Sequence, residues 1–178
     1  DMTDEMLALA NENKAKAGLG DNVTFREQNI FETDLSEAST VSMYLLTSIN
    51  IRMRPKLLKE LKPGTRIVTH AFNMGEWKAE HEESVNGYQV YLFIVPANVT
   101  GKWELSSGER KIALDLKSEF TELSGTANVN GKSADIKGGK ITGTKIEFTV
   151  DVDGKPTKFE GTFANGTITG DKWTAKKS

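Results

Sequence analysis

The chain has 178 residues, of which 37% are hydrophobic and 27% charged, with a formal net charge of −2 and no cysteine. The length fits one large domain or two small ones, and the composition excludes disordered and fibrous proteins. The near-neutral charge offers no basic field for nucleic acid, and the lack of cysteine excludes disulfides, cysteine-ligated metals and thiol nucleophiles. No apolar run approaches the ~20 residues of a membrane span. We therefore expect no nucleic-acid or membrane partner and a cytoplasmic location, with export left open.

The chain changes character near residue 97. Residues 1–97 hold 10 Lys and Arg against 14 Asp and Glu, whereas residues 98–178 hold 13 against 11 and carry 11 of the 16 glycines. The first part alternates helical and strand patterns, while the second shows short strands and turns. This contrast predicts two domains, residues 1–97 and residues 98–178.

The first part predicts a helix, two strands, a second helix and a third strand. Thr3 is expected to cap the first helix and Gly18 to end it, with Met6 and Leu9 in an apolar stripe. The strands are predicted at residues 23–26, 41–46 and 66–72. The nearly continuous apolar run at 41–46 is typical of a strand buried on both faces of a parallel sheet.

Proline and leucine positions predict the second helix, and a further strand and a loop are predicted after it. Pro55 suits the first turn of the helix, with Leu57, Leu58 and Leu61 on its inner side. Residues 88–95 predict a further strand at the sheet edge. His81-Glu82-Glu83 lacks the second histidine of a zinc motif and is expected in a solvated loop, so we predict no metal site.

The second part predicts an antiparallel meander. Ile112, Leu114 and Leu116 alternate with polar residues, as do the apolar residues from Ile146 to Val152. Three turn signals of the hairpin type separate the strands: Asn130-Gly131, Asp153-Gly154 and Asn165-Gly166. Gly-Thr pairs recur at residues 125, 143 and 161. These features predict a small barrel or strongly bent sheet of about seven or eight strands.

Several segments of the first part resemble the latter half of a class I (seven-strand) S-adenosylmethionine-dependent methyltransferase. The segments that carry the resemblance are Asp1-Met2-Thr3-Asp4-Glu5-Met6-Leu7, residues 23–31, residues 41–46, Asn50, residues 54–58, residues 61–66, His70-Ala71-Phe72 and Gly75-Glu76-Trp77. The combination is similar to a bacterial subgroup related to protein-lysine methyltransferases, some members of which carry a β-rich C-terminal extension. The resemblance covers about residues 1–103.

The resemblance implies the fold class, the activity and the cofactor. The fold is expected to be α/β, a partial Rossmann-like methyltransferase sheet, followed by an all-β antiparallel barrel-like or bent-sheet domain. The activity is expected to be transfer of a methyl group from S-adenosylmethionine to a nucleophile, with a protein lysine amine as one acceptor class.

The resemblance also assigns candidate site residues. Asp1 would bind the ribose hydroxyls, with Met2 near the adenine. Asn29 stands where the family usually has Asp and would accept a hydrogen bond from the adenine amino group, with Ile30 flanking the ring.

The acceptor side lies at the carboxyl ends of the predicted parallel strands, where α/β sheets bind ligands. Tyr44 and His70 are candidate catalytic residues, able to orient or deprotonate an incoming amine, and Asn50 is a candidate substrate-binding residue. Each has a structural alternative: Tyr44 in core packing and His70 as a hydrogen-bonded histidine at a strand end. Asn29, likewise, can simply begin a turn.

One departure from the family is large. Its glycine-rich first motif should precede Asp1, and Gly18-Leu19-Gly20 is no substitute because it follows a helix and lacks a third glycine. We therefore expect a truncated methyltransferase that alone shows weak or no cofactor binding and is inactive. Two alternatives stay open: a β domain acting as a binding or interaction module beside a remnant α/β part, and self-association through an exposed sheet edge.

Overall fold

The computed structural model describes residues 3–178. The chain divides into two compact units, one ending at Asp34 and one beginning at Leu35. The predicted domain boundary at residue 97 falls inside the second unit, between its two sheets, and stays a prediction.

The first unit contains helix α1, Asp4–Lys16, and a short 3₁₀ turn, Gly20–Asn22. The Thr3 side chain accepts a hydrogen bond from the Met6 amide, and Gly18 has φ +65°, so both predicted helix ends are confirmed. The predicted apolar stripe is wrong, since α1 buries none of its residues. The predicted strand at residues 23–26 is also wrong. Val23 is extended, but the segment pairs with no strand among residues 3–178, and a strand requires a partner for its backbone groups.

The second unit begins with a four-stranded mixed sheet in the order β1-β2-β4-β3. Its elements are β1 Thr40–Met43, α2 Thr47–Glu60, β2 Arg66–His70, β3 His81–Val85 and β4 Tyr88–Ile94. Strands β1 and β2 are parallel, and β4 runs antiparallel to both β2 and β3. The β1–α2–β2 segment is therefore a parallel crossover, which the alternating pattern of the sequence predicts.

Three details of this sheet differ from prediction. Strand β4 is internal rather than at the edge, because His81-Glu82-Glu83 forms edge strand β3 instead of a loop. All five residues of β3 are exposed, so the segment carries no hydrophobic alternation to mark it as a strand. Strand β1 is not buried on both faces, since Met43 is its single buried residue.

Helix α2 begins well before Pro55, not at it. Pro55 cannot donate to the carbonyl of Ile51, but both residues are exposed, so water can bond that carbonyl. The inner face is predicted better: Leu57 and Leu61 are buried, together with Met53. In the mixed sheet, the cross-strand pair Ile67 and Phe93 is completely buried.

The remaining strands form an antiparallel barrel, which confirms the expected fold class. They are β5 Gly101–Ser107, β6 Arg110–Glu119, β7 Glu122–Val129, β8 Lys132–Asp135, β9 Lys137–Thr142, β10 Lys145–Val152, β11 Lys155–Ala164, β12 Thr167–Gly170 and β13 Trp173–Lys177. Each strand pairs with its neighbours in sequence, except that β8 and β9 pair with β7 and not with each other, and β13 pairs with β5 to close the ring. Strands β8 and β9 are two parts of one bent strand opposite β7, so the ring has eight strands.

Period-two alternation and local turn chemistry produce the barrel. The predicted inward residues of β6 and β10 are all buried in one core cluster, which also contains Trp103 and Trp173. All three predicted Asn-Gly or Asp-Gly turns have both residues at positive φ, as type I′ hairpins require. A fourth turn of this type, Asn86-Gly87, joins β3 to β4.

The barrel contacts the mixed sheet at the turn between β9 and β10. The Ala97 amide donates to the Gly143 carbonyl at 2.8 Å. A β-carbon on Gly143 would lie 3.1 Å from Ile94 Cγ2 and 3.2 Å from Gly64 Cα. The two sheets therefore meet with almost no side chain between them at this point. In the described part of the chain, no helix is long and apolar enough to cross a membrane.

Candidate functional site

Two candidate residues lie side by side at the carboxyl ends of the parallel strands. Tyr44 directly follows β1 and His70 ends β2. Their ring centroids are 4.7 Å apart in an edge-to-face arrangement. Because β1 and β2 pair with Met43 opposite Thr69, the next residue on each strand falls at the same level of the sheet. The register of the two parallel strands thus brings these two candidate residues together.

A third ring, which the sequence analysis did not assign to the site, extends this pair. Tyr88 begins β4, and its ring centroid is 5.0 Å from that of His70. The register explains the contact, since His70 pairs with Val90 and Tyr88 lies two residues further along the same face. The Asn86-Gly87 turn signal is what places Tyr88 at the start of a strand.

The exposure of these rings decides between two interpretations of Tyr44. Tyr44 is 75% exposed and Tyr88 56% exposed, so neither ring is a core side chain. His70 between them is half-buried, and its Nδ1 is buried without a hydrogen-bond partner among residues 3–178. The rings together present an open aromatic surface with one imidazole at its centre.

Asn50 occupies a different position from these rings. Its side chain is completely buried on α2, and its Nδ2 donates to the carbonyls of Phe72 at 3.1 Å and Asn73 at 3.2 Å. Its Oδ1 is buried and has no hydrogen-bond partner in the described part of the chain. Asn50 therefore supports the backbone that follows β2, and the substrate role assigned to it stays a prediction.

The segment after β2, residues 71–77, is the loop most closely associated with His70. Ala71 has φ +62°, a left-handed conformation that turns the chain immediately after the strand. Thr69 donates its hydroxyl proton to the Phe72 carbonyl at 2.6 Å, and Arg54 Nη1 donates to the Met74 carbonyl at 2.9 Å. These hydrogen bonds from β2 and α2 hold the loop in place. The sequence analysis did not predict them.

The candidate cofactor residues belong to the first unit. The Asn29 Oδ1 accepts the Phe31 amide proton at 3.0 Å, and its Nδ2 donates to Glu32 Oε1 at 3.0 Å. Asn29 thus begins a turn, while a second lone pair on Oδ1 is available to another donor. Ile30 is exposed beside it. Asp1 and Met2 lie outside the described residues, and the roles of all four stay predictions.

No group of three or more His, Asp or Glu side chains in the described residues is arranged to hold a metal ion.

Comparisons with known proteins show similarity to methyltransferases. Residues 1–81 match the ANTKMT methyltransferase domain. A "Protein-lysine N-methyltransferase" from Saccharolobus islandicus is 38% identical over 99 residues, which are 53% of this chain and 62% of that protein. An RNA methyltransferase from Salinibacter ruber, solved with S-adenosyl-L-homocysteine, is 37% identical with a TM-score of 0.53. That match covers 56% of this chain and 65% of the neighbour.

These matches confirm the predicted resemblance to S-adenosylmethionine-dependent methyltransferases. They agree with the predicted cofactor as well, since S-adenosyl-L-homocysteine, held by the Salinibacter ruber protein, is what S-adenosylmethionine becomes on losing its methyl group. The chain spans less than two thirds of the length of either relative. Tyr44 and His70 lie within the matched residues 1–81, whereas Tyr88 and the barrel lie beyond them.

Proposed function

We propose that this protein transfers the methyl group of S-adenosylmethionine to a protein lysine amine. The observation that carries the proposal is the juxtaposition of Tyr44 and His70 at the carboxyl ends of two parallel strands, inside the segment that matches a methyltransferase domain. The protein-lysine relative supports lysine as the acceptor. The chain's net charge of −2 gives no support for an RNA acceptor.

The described residues fit the adenine end of the cofactor. Asn29 Oδ1 keeps an acceptor site for an exocyclic amine, and Ile30 offers an exposed apolar side chain to a ring. Asp1 and Met2 complete this proposed set at the ribose and adenine. When bound, S-adenosylmethionine supplies a methyl carbon that an amine nitrogen can attack as the carbon–sulfur bond breaks.

On the acceptor side, the protein has to orient a lysine amine and remove its proton. The exposed Tyr44 and Tyr88 rings can line the aliphatic stem and attract an ammonium group through their faces. The Tyr44 hydroxyl can accept a hydrogen bond from the amine, and the His70 imidazole can take up its proton. No metal is needed for this chemistry.

The glycine pattern of these 178 residues predicts a low affinity for the cofactor. Gly18 and Gly20 follow helix α1, so they do not form a glycine-rich turn between a strand and a helix. We expect weak cofactor binding and no transfer by these residues alone. A longer protein that includes a strand, a glycine-rich turn and a helix is expected to be active.

Calorimetric titration is the first test. S-adenosylmethionine and S-adenosylhomocysteine are titrated separately into the chain, with Asn29→Ala as the variant and Asn11→Ala, on α1, as the control. Weak binding that only Asn29→Ala abolishes supports the adenine role. Micromolar binding that Asn29→Ala leaves unchanged contradicts it.

Transfer is then measured with methyl-labelled cofactor and two acceptors, a lysine-containing polypeptide and an RNA, using a longer form that also carries a strand, a glycine-rich turn and a helix at its N-terminus. Tyr44→Phe and His70→Asn should each lower kcat by about 10²-fold, the scale of one proton-transfer group. Tyr91→Phe is the matched control, because Tyr91 lies on the opposite face of β4. Labelling of RNA alone would refute the lysine proposal.

No observation favours the barrel-module alternative. That hypothesis requires a deep apolar pocket or an exposed aromatic patch in residues 98–178. The barrel interior is filled by its core cluster, and the exposed large apolar side chains of the described chain all precede residue 89. Self-association stays a prediction, and both edge strands oppose it: β1 has four residues, and β3 carries Glu82 and Glu83.

A further inference from the structure

One barrel residue reaches out of the barrel toward the loop that follows His70. Phe120 forms the tight turn between β6 and β7 and has φ +51°. A left-handed backbone is rare for a bulky aromatic residue and persists where surrounding contacts hold it. The Phe120 ring is half-buried although it lies at a hairpin tip.

The contacts of Phe120 account for its burial, and both are made outside the barrel. Its ring lies nearly parallel to that of Trp77, with centroids 6.1 Å apart and an interplanar angle of 7°. In the second contact, the Arg54 guanidinium carbon lies 4.8 Å from the centroid of the Phe120 ring. The first is an offset aromatic pair and the second a cation–π contact.

Both partners of Phe120 also hold the loop of residues 71–77. Arg54 donates to the Met74 carbonyl at 2.9 Å, and Trp77 closes the loop by an isolated bridge with Met74. Trp77 is fully buried and also packs against Phe93 of β4, with ring centroids 5.1 Å apart. Phe120 therefore completes a layer in which an arginine and a tryptophan fix one backbone segment.

The loop begins at the residue after His70 and is bonded to α2 at three carbonyls, those of Phe72, Asn73 and Met74. Displacement of the loop would move the backbone that sets the direction of the His70 side chain. The barrel can influence the imidazole by this path without touching it. This connection explains why a hairpin tip buries an aromatic ring against a second structural layer.

We propose that Phe120 is a positioning residue through which the barrel holds residues 71–77, and with them His70, in place. The structural part, that Phe120 holds residues 71–77 in place, does not depend on whether the protein is an enzyme. Its catalytic part rests on the proposed function, so the two parts have separate measurements.

Hydrogen exchange tests the structural part. Phe120→Leu keeps the β-carbon, and hence the backbone cost of the left-handed turn, but removes the ring. We expect amide exchange in residues 71–77 to accelerate about tenfold, which corresponds to about 1.4 kcal/mol. Phe163→Leu is the control, since Phe163 is a partly buried barrel aromatic that contacts Trp103 instead. Arg54→Gln, which removes the cation and weakens the bond to Met74, should accelerate exchange in the same segment.

Kinetics tests the catalytic part in the same longer form of the protein that is used for the transfer assay. Phe120→Leu should lower kcat about tenfold and leave the KM for S-adenosylmethionine unchanged, and Phe120→Tyr should restore kcat. Unchanged exchange in Phe120→Leu, or equal acceleration in Phe163→Leu, would overturn the inference. An unchanged kcat despite faster exchange would overturn its catalytic part. If the wild-type protein transfers no methyl group, the proposed function fails while the exchange result still decides the structural claim.

Discussion

The contact between the barrel and the mixed sheet at Gly143 predicts a large cost for a very small substitution. Gly143 has φ +58°, where an alanine costs about 1 kcal/mol relative to glycine. The added β-carbon would also lie 3.1 Å from Ile94 Cγ2 and 3.2 Å from Gly64 Cα. The Ile94 methyl can rotate away, but the Gly64 atom is backbone and can move only with its chain.

The second part of the cost follows from overpacking, which amounts to about 1–3 kcal/mol where backbone has to shift. Gly143→Ala should therefore destabilise the protein by about 2–4 kcal/mol. For a chain of this length, each kcal/mol lowers Tm by about 2–4 °C. Gly138→Ala isolates the contact, because Gly138 has the same φ of +58° and no described atom lies within 4 Å of the place its β-carbon would take. That variant should lose only about 1 kcal/mol.

Chemical denaturation of the two variants in parallel, with Tm measured by calorimetry, gives the comparison. Equal losses in Gly143→Ala and Gly138→Ala would refute the reasoning, since they would show that the close approach to Gly64 has no energetic weight. Ile94→Val, combined with Gly143→Ala, is a further check. It removes Cδ1 but keeps Cγ2, the atom nearest the new β-carbon, and leaves Gly64 in place, so it should recover at most a minor part of the loss.

Three further predictions concern separate parts of the molecule. Phe148→Ala should cost about 3–5 kcal/mol in denaturant unfolding, because the buried Phe148 ring stacks on Phe159 at 5.3 Å in the barrel core. Glu160→Gln should lower the pKa of Lys158 in an NMR titration, because its hydrogen bond with Glu160 is the main cause that raises that pKa above the usual value. The linked stabilisation should be present below the ordinary lysine pKa and lost as pH rises through the raised one. Thr3→Ala should weaken helix α1 by about 1 kcal/mol, read as faster amide exchange in its first turn.

The barrel could be predicted from sequence because its signals are local. Alternation in Ile112, Leu114 and Leu116 marks one inward face, and Asn-Gly and Asp-Gly pairs mark the hairpins. Antiparallel neighbours that follow one another in the chain need no long-range information to be paired. The predicted meander of about seven or eight strands is therefore confirmed.

The mixed sheet was harder to predict because its strands depend on distant partners. Residues 23–26 have a strand pattern but pair with no described strand, whereas the polar edge strand β3 has no pattern and is paired to β4. The burial of residues 41–46 likewise depends on what covers the sheet, not on their own hydrophobicity. The sequence of a strand indicates neither which distant strand pairs with it nor which residues cover the sheet.

In the candidate site, too, some positions could be predicted from local sequence and others depend on distant contacts. Tyr44 and His70 could be placed at one sheet edge because both follow parallel strands. Tyr88 requires the register of an antiparallel strand, and the support from Arg54 and Phe120 requires a contact between helix α2 and the barrel. Such positions appear only once three-dimensional packing is known.

The pairing of β5 with β13 has a consequence for the order of events during synthesis. Every other neighbouring pair in the barrel can form as soon as its hairpin leaves the ribosome, since its strands are adjacent in the chain. The ring closes only when Thr174 and Ala175 become available to Ser106 and Leu105. Until that last strand arrives, the edge of β5 is unpaired and open to wrong partners. We expect the emergence of β13, after the other strands of the barrel have paired, to be the step that commits the barrel to its native state.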